Sequence, residues 1–109
     1  MKTLSHILFS LGACVTLVAN AQTHGGLAAD VGAGKARAAV CFACHNADGI
    51  SQIPGTPHLA GQERSYLENA LRAYRDGTTR QDPTMNAMAG PLSNRDIENI
   101  AAYYSLQKR

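Results

Sequence analysis

Residues 40–50 read "VCFACHNADGI". Cys41 and Cys44 stand three apart, and His45 follows the second cysteine at once. Three chemistries use such a pair. A redox-active dithiol closes a disulfide across the two intervening residues. A zinc site takes the pair as half of its ligand set. A covalent haem site uses each thiol to capture one vinyl group, while the adjacent histidine binds the iron. The rest of the chain chooses among them.

Upstream, residues 1–26, "MKTLSHILFSLGACVTLVANAQTHGG", have the make-up of a secretory signal. Lys2 supplies a positive n-region, Ile7 to Val18 are almost uniformly apolar or small, and Ala19 and Ala21 flank Asn20 in a small-x-small cleavage site. The apolar run is about a dozen residues, short of the roughly 20 that a membrane-spanning helix needs. "LGAC" also fits lipoprotein processing at Cys14, but that cut would leave too short an apolar region ahead of it. The expectation is a signal peptide over residues 1–21 and a domain over residues 22–109. The mature protein would be periplasmic, with no stable membrane insertion after cleavage.

Cleavage after Ala21 also removes Cys14, leaving only Cys41 and Cys44. No four-cysteine zinc site can be built from two thiols, and His24, His45 and His58 do not complete a set at credible spacing. Nine lysines and arginines then face eight acidic residues, and this near-neutral balance argues against a nucleic-acid binder. A domain of 88 residues has a marginal core of its own. Small exported domains usually add disulfides or a metal, and no second cysteine pair exists to do so. A large bound cofactor would supply the missing core.

No stretch alternates as a strand does. Residues from about Gly32, "GAGKARAAVCFAC", carry apolar side chains at helical spacing and predict a first helix. "HNADGISQIPGTPHLAGQ", residues 45–62, is dense in Gly, Pro, Asn and Ser and predicts an irregular loop. "ERSYLENALRAYRDG" puts Tyr66, Leu67, Ala70, Leu71 and Tyr74 on one stripe and ends at Gly77. "TTRQDPTMNAMAGP", residues 78–91, predicts a second irregular loop holding Met85 and Met88. The last segment, "LSNRDIENIAAYYSLQ", opens with Ser93 as N-cap and Asp96 three residues on, close to a capping box. Leu92 is placed to staple onto Ile97. The expectation is an all-α fold of three main helices joined by two long loops. Loops of that length need a function, and a planar cofactor wrapped by both would provide one. A thioredoxin-like site would need a preceding strand and a βαβ context, and the chain shows neither. The pentapeptide therefore reads as haem attachment, with one haem c held covalently by Cys41 and Cys44 and its iron bound by His45.

"AGKARAAVCFACHNADG", "PHLAGQ..SYL" and "M......LS..DI..IAAYY" together resemble the class I cytochromes c, most closely the small bacterial periplasmic ones and the single domains of their dihaem relatives. The resemblance implies that first and last helices cross, Gly34 on one meeting the aromatic Tyr103 on the other. It also implies that the carbonyl of Pro57 accepts a hydrogen bond from the haem histidine, and that Met85, seven residues before Leu92, is the second axial ligand. Met88 then fills a gap in the core, and His58 is exposed. Asn46 departs from the pattern, standing where the family commonly has glycine. With only Lys35 and Lys108 there is no lysine-rich docking ring, and Arg64, Arg72, Arg75 and Arg80 read as solvated charge around the second helix.

The function implied is single-electron transport by an iron-binding haem protein between redox partners such as a dehydrogenase, an oxidase or a reductase. Such a carrier is not an enzyme. A haem enzyme or gas sensor would instead need an open coordination position and polar distal groups, where "PTMNAMAGP" offers thioethers. A subunit fixed permanently to a larger redox complex shares every one of these sequence features.

Overall fold

In the computed structural model, residues 27–109 and Gly12 are described. The expected signal segment, its cleavage point, Cys14 and His24 lie outside the described residues. Helix α1 spans Val31–Arg37 and tightens into a 3-10 turn over Ala38–Cys41 before α2, Phe42–His45. Helices α3, α4 and α5 span Arg64–Asp76, Pro83–Ala89 and Asn94–Ser105. There is no strand among the described residues. The fold is all-helical, and residues 46–63 form the first long loop as expected.

The second expected loop is in part a helix. Asp82 is the N-cap of α4, its Oδ1 accepting from the Met85 amide at 2.9 Å, and Pro83 occupies the first turn. A proline there loses no hydrogen bond, because the first-turn N–H groups have no partner inside the helix. The Asp-Pro pair that looks like a turn is a helix start.

The ends of α3 and α5 follow their sequence signals. Gly77 closes α3 in the left-handed conformation at φ 70°. Ser93 Oγ accepts from the Asp96 amide at 3.0 Å, and Asp96 Oδ2 accepts from the Ser93 amide at 2.9 Å, completing a capping box. The Ser93 amide is the main reason why the Asp96 carboxyl lies below its ordinary range. Leu92 and Ile97 are buried in one cluster, as a staple requires.

That cluster is small. Its largest fully buried side chains are Tyr104, Ile97 and Ile100, all from α5. Helix α1 lies against α5 at Gly34, where an added Cβ would strike the backbone carbonyl of Asn99. The glycine therefore meets the α5 backbone at Asn99 and Ile100, on the same helix as Tyr103. The Tyr103 ring sits beside Phe42, with ring centroids 6.4 Å apart. Its hydroxyl donates to the Ala47 carbonyl. Asn99 fixes the crossing from the other side, its Oδ1 accepting from the Asp30 amide at 2.8 Å.

Backbone cannot move aside as a flexible side chain can. Gly34→Ala is expected to force α1 away from α5 and to cost about 1–3 kcal/mol or more, the range for overpacking a tight contact. A lower denaturant midpoint at unchanged slope checks this. An unchanged midpoint would mean that the helices are not held this close.

Candidate haem site

A cavity of about 610 Å³ opens between α2, α3, α4 and α5. This lies within the roughly 300–1,000 Å³ typical of cofactor pockets. Cys41, Cys44 and His45 line it from one side, and Met85 and Met88 also border it. Tyr66, Leu67, Ala70, Leu71 and Tyr74, the apolar stripe of α3, all face it. That stripe is thus the wall of a cavity, which is why only Leu67 among the five is fully buried.

His45 ends α2 and is 6% exposed. Its Nδ1 lies 2.9 Å from the Pro57 carbonyl oxygen. A carbonyl can only accept, so Nδ1 carries the proton and Nε2 is left with a free lone pair. The loop that supplies Pro57 is tied back to the cysteine segment. Ser51 Oγ donates to the Cys44 carbonyl at 2.8 Å, and the Ser51 amide donates to His58 Nδ1 at 2.9 Å. His58 itself is exposed. Asn46 adopts φ 62°, ψ 164°, a conformation that non-glycine residues rarely occupy. Two hydrogen bonds hold it there. Its Nδ2 donates to the Ile50 carbonyl at 2.6 Å, and its carbonyl accepts from the Tyr104 hydroxyl at 3.1 Å.

On the far wall, Met85 is half-buried, whereas Met88 is 43% exposed. Asn86 anchors this segment to α3, Nδ2 donating to the carbonyls of Tyr74 at 2.7 Å and Arg80 at 3.0 Å. The arginines around α3 fall into different roles. Arg64 and Arg72 pair with Glu68 at 2.7 and 3.5 Å, and Arg75 donates to the Leu92 carbonyl at 3.1 Å. Arg80 alone of the four borders the cavity.

Both thiols are free, Cys41 half-buried and Cys44 exposed. Burial pushes the Cys41 thiol up, against the pull of Arg37. A redox dithiol needs the opposite, a lowered value that populates the thiolate. Among the described residues, no three His, Cys, Asp or Glu side chains converge as a zinc site requires. Two thiols, one imidazole and a thioether around a largely apolar cavity fit a covalently attached haem.

The cytochrome c family profile matches residues 31–105. The chain belongs to the cytochrome c family. It is 45% identical over 83 residues to cytochrome c-554(548) of Halomonas halodenitrificans, covering 74% of this chain and all of that protein. It is 41% identical over 115 residues to cytochrome c4 of Stutzerimonas stutzeri, covering 98% of this chain but 51% of that protein. The chain thus spans about half the length of the cytochrome c4 it matches. The crystal structure of reduced recombinant cytochrome c4 from Pseudomonas stutzeri superposes with a TM-score of 0.70 at 43% identity, over 74% of this chain and 47% of that one. As a class I cytochrome c, the protein binds haem c covalently and serves electron transfer. Cys41 and Cys44 supply the C-x-x-C-H spacing.

Sequence reasoning did not find Ser51, Asn86 or the placement of Arg80. Asp82-Pro83 followed by Gly90 was the available signal for α4, and α4 is what brings Asn86 to α3.

Thioether bonds survive denaturation, whereas coordinated haem does not. Acid–acetone extraction of the unfolded holoprotein is expected to leave the haem on the chain. Haem passing into the organic phase would contradict attachment through Cys41 and Cys44.

Proposed function

We propose that the protein is a periplasmic, single-haem electron carrier whose iron is held by His45 and Met85. The observation that carries this reading is the hydrogen bond between His45 Nδ1 and the Pro57 carbonyl. It leaves Nε2 as the ligand nitrogen in a cavity that both cysteines and Met85 also border.

Each residue then has a defined task. Cys41 and Cys44 hold the cofactor to the chain by thioether bonds. Pro57 fixes the imidazole plane and raises the basicity of Nε2. The half-buried position of Met85 favours it over the more exposed Met88 as the second ligand, and Asp82 and Asn86 fix the short helix that presents it. When bound, haem supplies a one-electron ferric–ferrous couple, and a thioether ligand favours the reduced state. With both axial positions filled by the chain, no position is left for substrate, which suits a carrier and not an enzyme. Val40 and Cys44 are exposed at the cavity rim, where a redox partner can approach.

Donor and acceptor are redox proteins, a dehydrogenase, an oxidase or a reductase. A relative from Thiomonas intermedia, 43% identical over 72 residues, bears the name thiosulfate dehydrogenase electron acceptor, which supports this class of partner. Export rests on the signal-like residues 1–21. Among the described residues no helix is long and apolar enough to cross a membrane.

Met85→Ala is expected to abolish the weak far-red band of methionine-ligated ferric haem, to admit imidazole or cyanide, and to lower the potential. Met88→Ala should keep the band. Its cost should be at most a few kcal/mol of lost packing, because the side chain is partly exposed. Visible spectra and redox titration of both variants check this. Loss of the band in Met88→Ala alone would exchange the two roles. Rapid carbon monoxide binding by the reduced wild type would contradict the carrier.

A further inference from the structure

Arg80 differs from every other arginine among the described residues. Arg37, Arg64, Arg72 and Arg95 each face a carboxylate, while Arg75 and Arg109 donate to the carbonyls of Leu92 and Ala60. None of the ion pairs among the described residues involves Arg80. Its guanidinium carbon lies 5.2 Å from the centroid of Tyr74 and 5.7 Å from that of Tyr66. Its Nη2 donates to the Tyr66 hydroxyl at 3.0 Å. Its only other side-chain partner is Tyr74, so no carboxylate meets the guanidinium among the described residues.

The position is also held from behind. The Arg80 carbonyl accepts from Asn86, whose amide reaches the Tyr74 carbonyl as well, so the backbone here is clamped between α3 and α4. Two aromatic faces and a backbone clamp fix a cation at the wall of a largely apolar cavity. Arg80 is the only arginine or lysine on that wall, and its one carboxylate neighbour there, Asp82, is engaged as the N-cap of α4.

A fixed cation without an anion in a cavity of this kind points to an anionic group on the occupant. Haem carries two carboxylates, and burying a carboxylate without a partner is costly. We propose that Arg80 pairs with a propionate carboxylate of the bound haem and, through that charge, sets the reduction potential. Tyr66 and Tyr74 act as positioning residues that aim the guanidinium. The proposal rests on the haem-binding reading above and adds to it the residue that meets the carboxylate edge. Pairing cancels a negative charge near the iron, which would otherwise favour the ferric state.

The test is redox titration of the holoprotein across a pH series, for wild type, Arg80→Gln, Arg80→Lys and Arg72→Gln. Arg80→Gln is expected to lower the potential by the equivalent of about a tenfold change in the ferrous-to-ferric ratio, about 59 mV for a one-electron couple. Its potential should also become more pH-dependent in mild acid, because an unpaired propionate takes up a proton more readily. Besides that carboxylate, the titratable groups facing this corner are Asp82, Tyr66 and Tyr74, all present in every variant. Arg80→Lys should recover most of the potential, and Arg72→Gln, which removes a charge already paired with Glu68, should leave it unmoved. Arg80→Met keeps an unbranched stem against the two rings and carries the same test if the glutamine variant fails to fold. Haem content and the far-red band are scored on every sample. Intact haem and band with an unmoved potential and pH profile would overturn the role of Arg80 alone. A wild type without covalent haem would overturn the haem-binding reading as well.

Discussion

Helix α3 turns its apolar stripe toward a cavity as well as toward α5, and most of the architecture follows from that. Tyr66, Leu67, Ala70, Leu71 and Tyr74 border about 610 Å³ of space that the side chains leave unfilled. The core cluster beside that space, which Leu67 joins, draws its largest fully buried groups from α5 alone. A small domain arranged in this way buries too little of its own apolar surface to offset the entropy of ordering the chain. The cofactor completes the core and carries the redox chemistry, so stability and function share one site.

The loop of residues 46–62 contains no helix or strand, yet it is fixed by specific bonds to the elements that surround the site. Ser51 ties it to the Cys44 carbonyl, and Pro57 receives the His45 ring. From α5, the hydroxyls of Tyr103 and Tyr104 reach the carbonyls of Ala47 and Asn46. Burial holds the Tyr104 phenol well above its ordinary range, so it remains a donor at any physiological pH. These contacts make His45 part of the same rigid body as the terminal helix crossing, where Gly34 meets Asn99. Asn46 tolerates a backbone conformation suited to glycine because its side chain and carbonyl are both bonded.

The helical class, the caps of α3 and α5, the irregular first loop and the cysteine–histidine attachment segment were legible because each has a local chemical cause. Ser93 and Asp96 cap within four residues of one another, and C-x-x-C-H is contiguous. Helix α4 was not legible because Asp82, Pro83 and Gly90 are the residues of turns as well as of helix ends. Only the bond from the Met85 amide to Asp82 separates the two. The crossing of α1 and α5 at Gly34 was legible through the resemblance, but not the register at which the two backbones touch, Gly34 against Asn99. Arg80 looked like one of four solvated arginines. Its distinction lies in long-range contacts, with Tyr66 fourteen residues away, and no local pattern encodes those.

The central claim is that the haem completes a hydrophobic core the chain cannot complete by itself. It is tested most directly by circular dichroism of the Cys41→Ser, Cys44→Ser double variant purified free of haem, followed through a thermal scan. The account predicts low helix content and no cooperative transition. Native-like helix content with a cooperative melt would show that the protein core stands without the ring, and would contradict the account.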